Sequence, residues 1–190
     1  MVVLSLVIFF VIFLGGGYLY SCYINVIKSG NAVREAKSSI DVQFKKRYDL
    51  LPNILTIAQR FMTHEKEIFT KITELRSQAI NAPAGSQEAF ECNKKLDGLL
   101  GQLKVSMENY PTLKSDATMM QAMKTYNEVE EHIAAARRFY NSAITQLRNY
   151  TMIFPTSLFK GYVQEEMQNS YYEIEEAGQR NPVNASDYLK

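Results

Sequence analysis

The side chains best suited to catalysis in this 190-residue chain are its two histidines. His64 stands beside Glu65, but consecutive residues of a helix point about 100° apart, so the two cannot form a local acid–base pair. His132 has Glu128 four residues before it, on the same helical face, which is a fragment of a metal site. A di-iron bundle needs two Glu-x-x-His units with further carboxylates, and a three-histidine zinc site needs a third histidine. The histidines therefore predict no metal site.

Other catalytic patterns are also missing from the sequence. Its glycine triplet, Gly15-Gly16-Gly17, lies in an apolar run and not in a phosphate-binding loop. No serine stands in a nucleophile-elbow motif. The 21 Lys and Arg against 20 Asp and Glu give no overall field that would attract nucleic acid. We predict a protein that is not an enzyme, with no cofactor, no metal, no nucleic-acid partner and no small-molecule substrate.

Four charged residues fall on or beside the apolar stripes of predicted helices: Arg47, Glu65, Glu130 and Arg137. Charged side chains are rarely buried unless they are paired. We therefore hypothesise an interhelical network that links Arg47 or Glu65 to Glu130 or Arg137. The alternative is that these side chains extend along the helix edges into water.

The elements that position these residues begin with an uncharged segment, residues 1–27. A membrane-spanning helix needs about 20 apolar residues to cross a hydrocarbon core of roughly 30 Å. Tyr18, Tyr20 and Tyr23 near its end suit the headgroup region. The segment predicts an uncleaved transmembrane anchor.

Two alternatives to the anchor are a cleaved signal peptide and a lipoprotein signal. A signal peptide has basic residues before its apolar run, and none is present here. A lipoprotein signal would place the lipid on Cys22, but bulky Tyr20 fits that motif only in part. Downstream of the anchor, basic residues include Lys28, Arg34 and the cluster Lys45-Lys46-Arg47, which we expect to set the topology. By the positive-inside rule the body then lies in the cytoplasm, with a periplasmic or lipid-anchored body as the alternative.

Apolar residues at three- and four-residue steps predict helices throughout residues 28–178, which we take as one domain. Pro52 is predicted to be a hinge or kink in the first helix.

The predicted fold class is all-α, an anchor followed by an antiparallel bundle of three long helices and a shorter fourth. The tail, residues 179–190, is expected to be loosely ordered. The predicted helices run from Val33 to about Ala79, from the N-cap Ser86 to Tyr110, from about Thr112 to Ile153, and from a cap at Thr156 or Ser157 to Ala177, with Gly178 as C-cap.

Five blocks occur in order along the chain: I-D-V-Q-F-K-K-R-Y-D-L-L-P-N at 40–53, His64-Glu65, E-N-Y-P-T-L-K at 108–114, A-R-R-F-Y-N at 136–141 and Phe154-Pro155. Together these blocks resemble the LemA family of bacterial membrane proteins. The sequence departs from that pattern at Lys37, where a large side chain is expected, and in Phe159 to Val163. The resemblance implies an N-terminal anchor in the inner membrane, a helical bundle and no established enzymatic activity.

Three functions are compatible with this architecture. The first is a scaffold or interaction module at the membrane, with a second copy or another membrane protein as partner. The second is a signalling or envelope-stress component that transmits a conformational state. The third is a lipid-interacting, membrane-organising protein, which Lys45, Lys46 and Arg47 would support.

Overall fold

The computed structural model describes residues 1–83 and 85–172, and all regular structure in these ranges is helical. The all-α prediction is confirmed for this part of the chain. The elements are α1 (Val2–Gln59), α2 (Lys66–Asn81), α3 (Gln87–Met107), α4 (Pro111–Lys114), α5 (Ala117–Met152), a 3-10 segment (Thr156–Val163) and α6 (Gln164–Met167).

Helix α1 is a single element of 58 residues, about 87 Å long at 1.5 Å per residue. Its apolar N-terminal part is exposed along its whole length, as Phe9 (70% exposed) illustrates. From Cys22 onward one face becomes buried at helical spacing, with Val26, Val33 and Ile40 in the core. The apolar stretch and the central helix of the body are therefore one continuous rod.

Helix α5 packs along the body half of α1 in the opposite direction. Arg47 of α1 meets Glu130, whereas the earlier residue Phe44 meets the later residue Arg137. Apolar residues such as Ile133, Tyr140 and Ile144 of α5 are almost completely buried in this seam. The antiparallel pairing brings the end of α5 back toward the apolar part of α1.

Helices α2 and α3 form a hairpin that packs against the C-terminal half of α1. The turn between them contains Gly85 at φ 61°, in the left-handed region that favours glycine. Ser86 caps α3, because its Oγ accepts a hydrogen bond of 3.1 Å from the N–H of Ala89. The predicted cap is confirmed.

The first predicted helix is wrong beyond residue 59, because the chain leaves the helix between α1 and α2. Residues 60–65 form this connection, where Met62 is 1% exposed and anchors the turn in the core. The helix therefore ends seven residues after Pro52, which lies inside α1. The third predicted helix also begins later than expected, at Ala117, because the Asp116 carboxylate accepts from the N–H of Met119 at 2.8 Å and caps α5.

The fourth predicted helix is wrong in type and length. Residues Thr156–Val163 form a 3-10 segment, and the α-helix that follows ends at Met167. Thr156 does not cap a helix, since its hydroxyl donates back to the carbonyl of Ile153 at 2.7 Å and closes the end of α5. The predicted cap Gly178 and the tail, residues 179–190, lie outside the described residues.

Candidate functional site

The centre of the bundle is a cluster of four charged side chains and one neutral amide contributed by three helices, which we call the charge cluster (Arg47, Asn93, Asp97, Glu130 and Arg137). Arg47 of α1 is completely buried. Its guanidinium donates hydrogen bonds to Asp97 and Asn93 of α3 and to Glu130 of α5, the last at 3.2 Å. The side chain of Arg47 therefore joins α1 to both neighbouring helices.

Asp97 is shared between two arginines. One carboxylate oxygen contacts Arg47, and the other accepts from Arg137 of α5 at 2.9 Å. With Glu130, the cluster contains two cations and two carboxylates, so its formal charge is balanced. The carboxylates of Asp97 and Glu130 lie at the rim, about a third exposed, and the guanidinium of Arg47 lies beneath them.

A second polar pair supports the inner side of the cluster. The Tyr48 hydroxyl and the Asn93 amide exchange hydrogen bonds of 2.6 and 2.9 Å, and the Asn93 amide also donates to the Ala89 carbonyl at 2.8 Å. Asn93 is completely buried. Its carbonyl oxygen is thereby held in place toward Arg47.

Aromatic rings cover the cluster from the other side. Tyr172, from the irregular segment after α6, places its ring 4.2 Å from the Arg137 guanidinium carbon, and Phe44 lies 5.3 Å from that of Arg47. Asn141 of α5 fixes Tyr172 through two backbone hydrogen bonds of 2.9 and 3.0 Å. Such cation–π contacts stabilise guanidinium groups that have lost contact with water.

The electrostatics of the cluster favour fixed charges over proton transfer. Burial disfavours the charged form of Arg47, but the carboxylates of Asp97 and Glu130 outweigh it and raise the pKa of its guanidinium. Burial raises the pKa of Tyr172 to about 12, and burial together with Glu130 raises the pKa of Tyr126. Because arginine does not exchange its proton near neutral pH, the cluster is suited to holding helices together.

Pro52 creates a further polar contact on α1. Proline has no N–H, so the carbonyl of Tyr48, four residues earlier, lacks its helical hydrogen-bond donor. The Nε of Arg76 in α2 donates to this carbonyl at 2.6 Å. Pro52 thus frees a backbone acceptor to which α2 attaches, while its role as a hinge stays a prediction.

The structure brings together three of the four predicted network residues: Arg47, Glu130 and Arg137. Glu65 lies outside the cluster, half-buried at the residue that precedes α2. Of the predicted basic cluster, Lys45 and Lys46 are exposed, but Arg47 points inward, so the three do not form one basic surface. The role of these residues in setting topology stays a prediction.

Sequence reasoning missed Asn93, Asp97 and Tyr172. Asn93 and Asp97 stand four residues apart on α3, beside the apolar stripe that contains Leu96, and this spacing was the available signal. Tyr172 follows the last helix and has no periodic pattern around it. Nothing in its local sequence indicates a contact with Arg137.

The other chemical candidates lie away from the cluster. His64, Glu128 and His132 are all exposed. Within residues 1–83 and 85–172, no three His, Cys, Asp or Glu side chains come together as a metal site. Cys22, the residue that a lipoprotein signal would modify, is 6% exposed on the face of α1 that enters the bundle.

Taken together, these features define a class of protein: an apolar helix long enough to cross a membrane, exposed throughout, that continues into a helical body fixed by buried charges. The model of the LemA family matches residues 36–186. The chain therefore belongs to the LemA family, and the resemblance seen in the sequence is confirmed.

Two kinds of relative are similar to the chain. Protein LemA of Metamycoplasma hominis is 26% identical over 155 residues, which cover 78% of this chain and 71% of the relative. Magnetosome protein MamQ 2 of Paramagnetospirillum magneticum is 24% identical over 149 residues, 65% of this chain and 54% of the relative. Magnetosome protein MamQ of Magnetospirillum gryphiswaldense is 24% identical over 166 residues, 74% and 59% respectively. The chain thus spans little more than half the length of the MamQ relatives.

Proposed function

We propose that the chain is a single-pass membrane protein whose antiparallel bundle acts as a non-enzymatic scaffold or interaction module beside the membrane. Residues 1–27 form the anchor and residues 28–178 the bundle domain. The observation that carries this proposal is the continuity of α1, which is helical from Val2 to Gln59. A continuous helix fixes the position of the bundle relative to the bilayer, where a flexible linker would let it move freely.

The relatives support the same proposal. The names of the LemA and MamQ relatives are not names of enzymes, and the MamQ proteins are named for magnetosomes. The basic residues after the anchor, including Lys28 and Arg34, favour the cytoplasmic face of a bacterial inner membrane. Exposed apolar side chains on the bundle, such as Val42 and Phe139 at 50% and 49% exposure, offer contact points for a second copy or another membrane protein.

Photo-crosslinking in native membranes tests the scaffold role. A benzophenone amino acid in place of Phe139, on the exposed side of α5, is expected to give a crosslinked species heavier than the monomer. The same amino acid in place of Tyr140, which is 1% exposed, is the matched control and is expected to crosslink only within the chain. The mass of the product distinguishes a second copy from another protein. Monomer alone from position 139, and also from the exposed position Val42, would count against the scaffold.

The alternative function is transmission of a conformational state from the membrane to the bundle. The contact between Arg76 and the carbonyl freed by Pro52 favours it, since it couples α2 to the rod at a point without a helical hydrogen bond. Envelope stress should then change amide hydrogen exchange around residues 48–52. The same exchange rates in stressed and unstressed membranes would contradict this function.

The lipid-interacting function has less support at the basic cluster Lys45-Lys46-Arg47. Lys45 lies 18 residues beyond the end of the anchor, about 27 Å along a continuous helix. Electrostatic attraction to anionic headgroups falls off within a Debye length of about 8 Å at physiological salt. Because Arg47 is also buried, only two exposed charges remain at a distance that headgroups do not reach.

A further inference from the structure

The end of α5 and the 3-10 segment expose a group of large apolar side chains, which we call the apolar tip (Met152, Ile153, Phe154, Leu158 and Tyr162). Their exposed fractions are 76%, 63%, 77%, 64% and 64%. Residues 151–163 contain a single charged side chain, Lys160, which is exposed. Contiguous exposed apolar groups of this size mark a surface that contacts another apolar phase.

The contacts of the 3-10 segment place the apolar tip beside the end of the anchor. The ring of Tyr23 packs edge-on against Phe159 and Tyr162, with centroids 5.6 and 5.3 Å apart. Val163 lies so close to Gly30 that a β-carbon at that glycine would be 2.6 Å from its Cγ1. The tip therefore lies at the level of α1 where the uncharged segment ends.

The surface of the apolar tip is continuous with a surface that requires lipid. The apolar part of α1 is exposed up to residue 21, just before the residues that contact the 3-10 segment, and its side chains need a hydrocarbon phase around them. Tyr23 and Tyr162 carry the amphipathic rings that favour the headgroup region, and Lys160 can extend its amine to water or phosphate. One bilayer would cover the exposed side chains of both elements.

We propose that the apolar tip inserts into the bilayer that α1 crosses, on the side from which the bundle protrudes. The bundle then contacts the membrane at two points, the anchor and the tip, and its orientation to the membrane plane is fixed. This inference rests on the proposed membrane anchoring of α1 but goes beyond it, because a single-pass anchor requires no second contact.

The absence of tryptophan from the sequence permits a direct test. We would make three single-tryptophan variants of the full chain and reconstitute each in vesicles of phosphatidylcholine and phosphatidylglycerol. Tryptophan emission is measured with and without lipids brominated on the upper acyl chain, because bromine quenches a tryptophan that lies near it. Phe154→Trp reports the tip, Phe9→Trp the anchor, and Phe139→Trp an exposed position in the middle of α5. Interfacial segments insert about 5–10 Å, so Phe154→Trp should lose about half or more of its emission, as Phe9→Trp does. Phe139→Trp should keep its emission.

The outcomes separate the tip from the anchor. Quenching of Phe9→Trp without quenching of Phe154→Trp overturns the insertion of the tip and leaves the anchoring intact. No quenching in either variant overturns the anchoring itself. A blue-shifted but unquenched Phe154→Trp means that protein and not lipid covers the tip, which also overturns the proposal. Leu158→Trp, at a second exposed position, repeats the test if Phe154→Trp does not fold.

Discussion

Neutralising Asp97 should destabilise the bundle more than removing Arg47. Asp97→Asn takes away the carboxylate that both arginines share and leaves the completely buried Arg47 with Glu130 as its only carboxylate partner, beside the neutral side chain of Asn93. Arg47→Met removes the buried cation and leaves two carboxylates that are about a third exposed and can be hydrated. The order of the two effects follows from which charge is left without water.

The magnitudes follow from this difference in exposure. Removing one partner of a buried ion pair costs about 3–5 kcal/mol when the remaining charge is uncompensated. We expect about 3 kcal/mol for Asp97→Asn, because Glu130 still compensates part of the charge of Arg47. Replacing a buried charge by an apolar side chain of similar volume is far milder, and we expect about 1–2 kcal/mol for Arg47→Met. The double variant should be more stable than the sum of the two losses predicts, by about 1–2 kcal/mol.

The assay is unfolding of the full chain in detergent micelles, followed by circular dichroism. For a chain of this size 1 kcal/mol shifts the midpoint by about 2–4 °C, so Asp97→Asn should lower it by roughly 6–12 °C. Lys71→Met, which breaks the exposed pair with Glu67, is the matched control and should leave the midpoint unchanged. If Arg47→Met is as costly as Asp97→Asn, or if the two losses simply add, the buried guanidinium is not what makes the cluster sensitive.

Two further predictions concern single contacts. Arg76→Met should lower the free energy of unfolding by about 1.5–3 kcal/mol, measured by denaturant unfolding. The loss should be smaller in a Pro52→Ala background, because the restored N–H of residue 52 can donate to the Tyr48 carbonyl. Equal losses in both backgrounds would contradict this. Burial raises the pKa of Tyr172 from about 10 to about 12, so the folded chain holds that proton more tightly than the unfolded chain. The stabilisation that protonated Tyr172 contributes to the folded chain is complete below pH 10 and is lost as the pH rises to about 12. The free energy of unfolding should therefore fall by roughly 2–3 kcal/mol over this range, and this fall should be absent in Tyr172→Phe.

Periodicity predicts the helical parts of this fold well because a buried helical face leaves a direct mark on the sequence. The α3 cap at Ser86 and most of α5 are found where the pattern places them. The break between α1 and α2 escapes the pattern because apolar residues continue through it, and buried Met62 belongs to a turn. A stripe of apolar residues records burial, and a short turn can be buried as well as a helix.

The partners in the charge cluster were harder to predict than its arginines. Arg47 stands out because a charge on an apolar stripe is unusual. Its main partner, Asp97, lies on the partly exposed side of α3, where acidic residues are common. Which of many rim carboxylates faces Arg47 depends on the relative rotation and offset of α1 and α3. These quantities arise from three-dimensional packing, and no local pattern in the sequence contains them.

The directional contacts along α1 suggest why its buried polar groups are present. Apolar packing has no direction, so helices with long apolar stripes can slide past one another by a turn at modest cost. On α1 each partner is fixed by a different specific contact: Val163 fits against Gly30, the charge cluster holds α3 and α5 at Arg47, and Arg76 binds the Tyr48 carbonyl. A slip of any partner by one turn would leave a buried charge unpaired, a carbonyl without a donor or a side chain in steric conflict. We infer that these contacts set the register of the bundle on its rod, a role that a buried ion pair can fulfil even where it contributes little net stability.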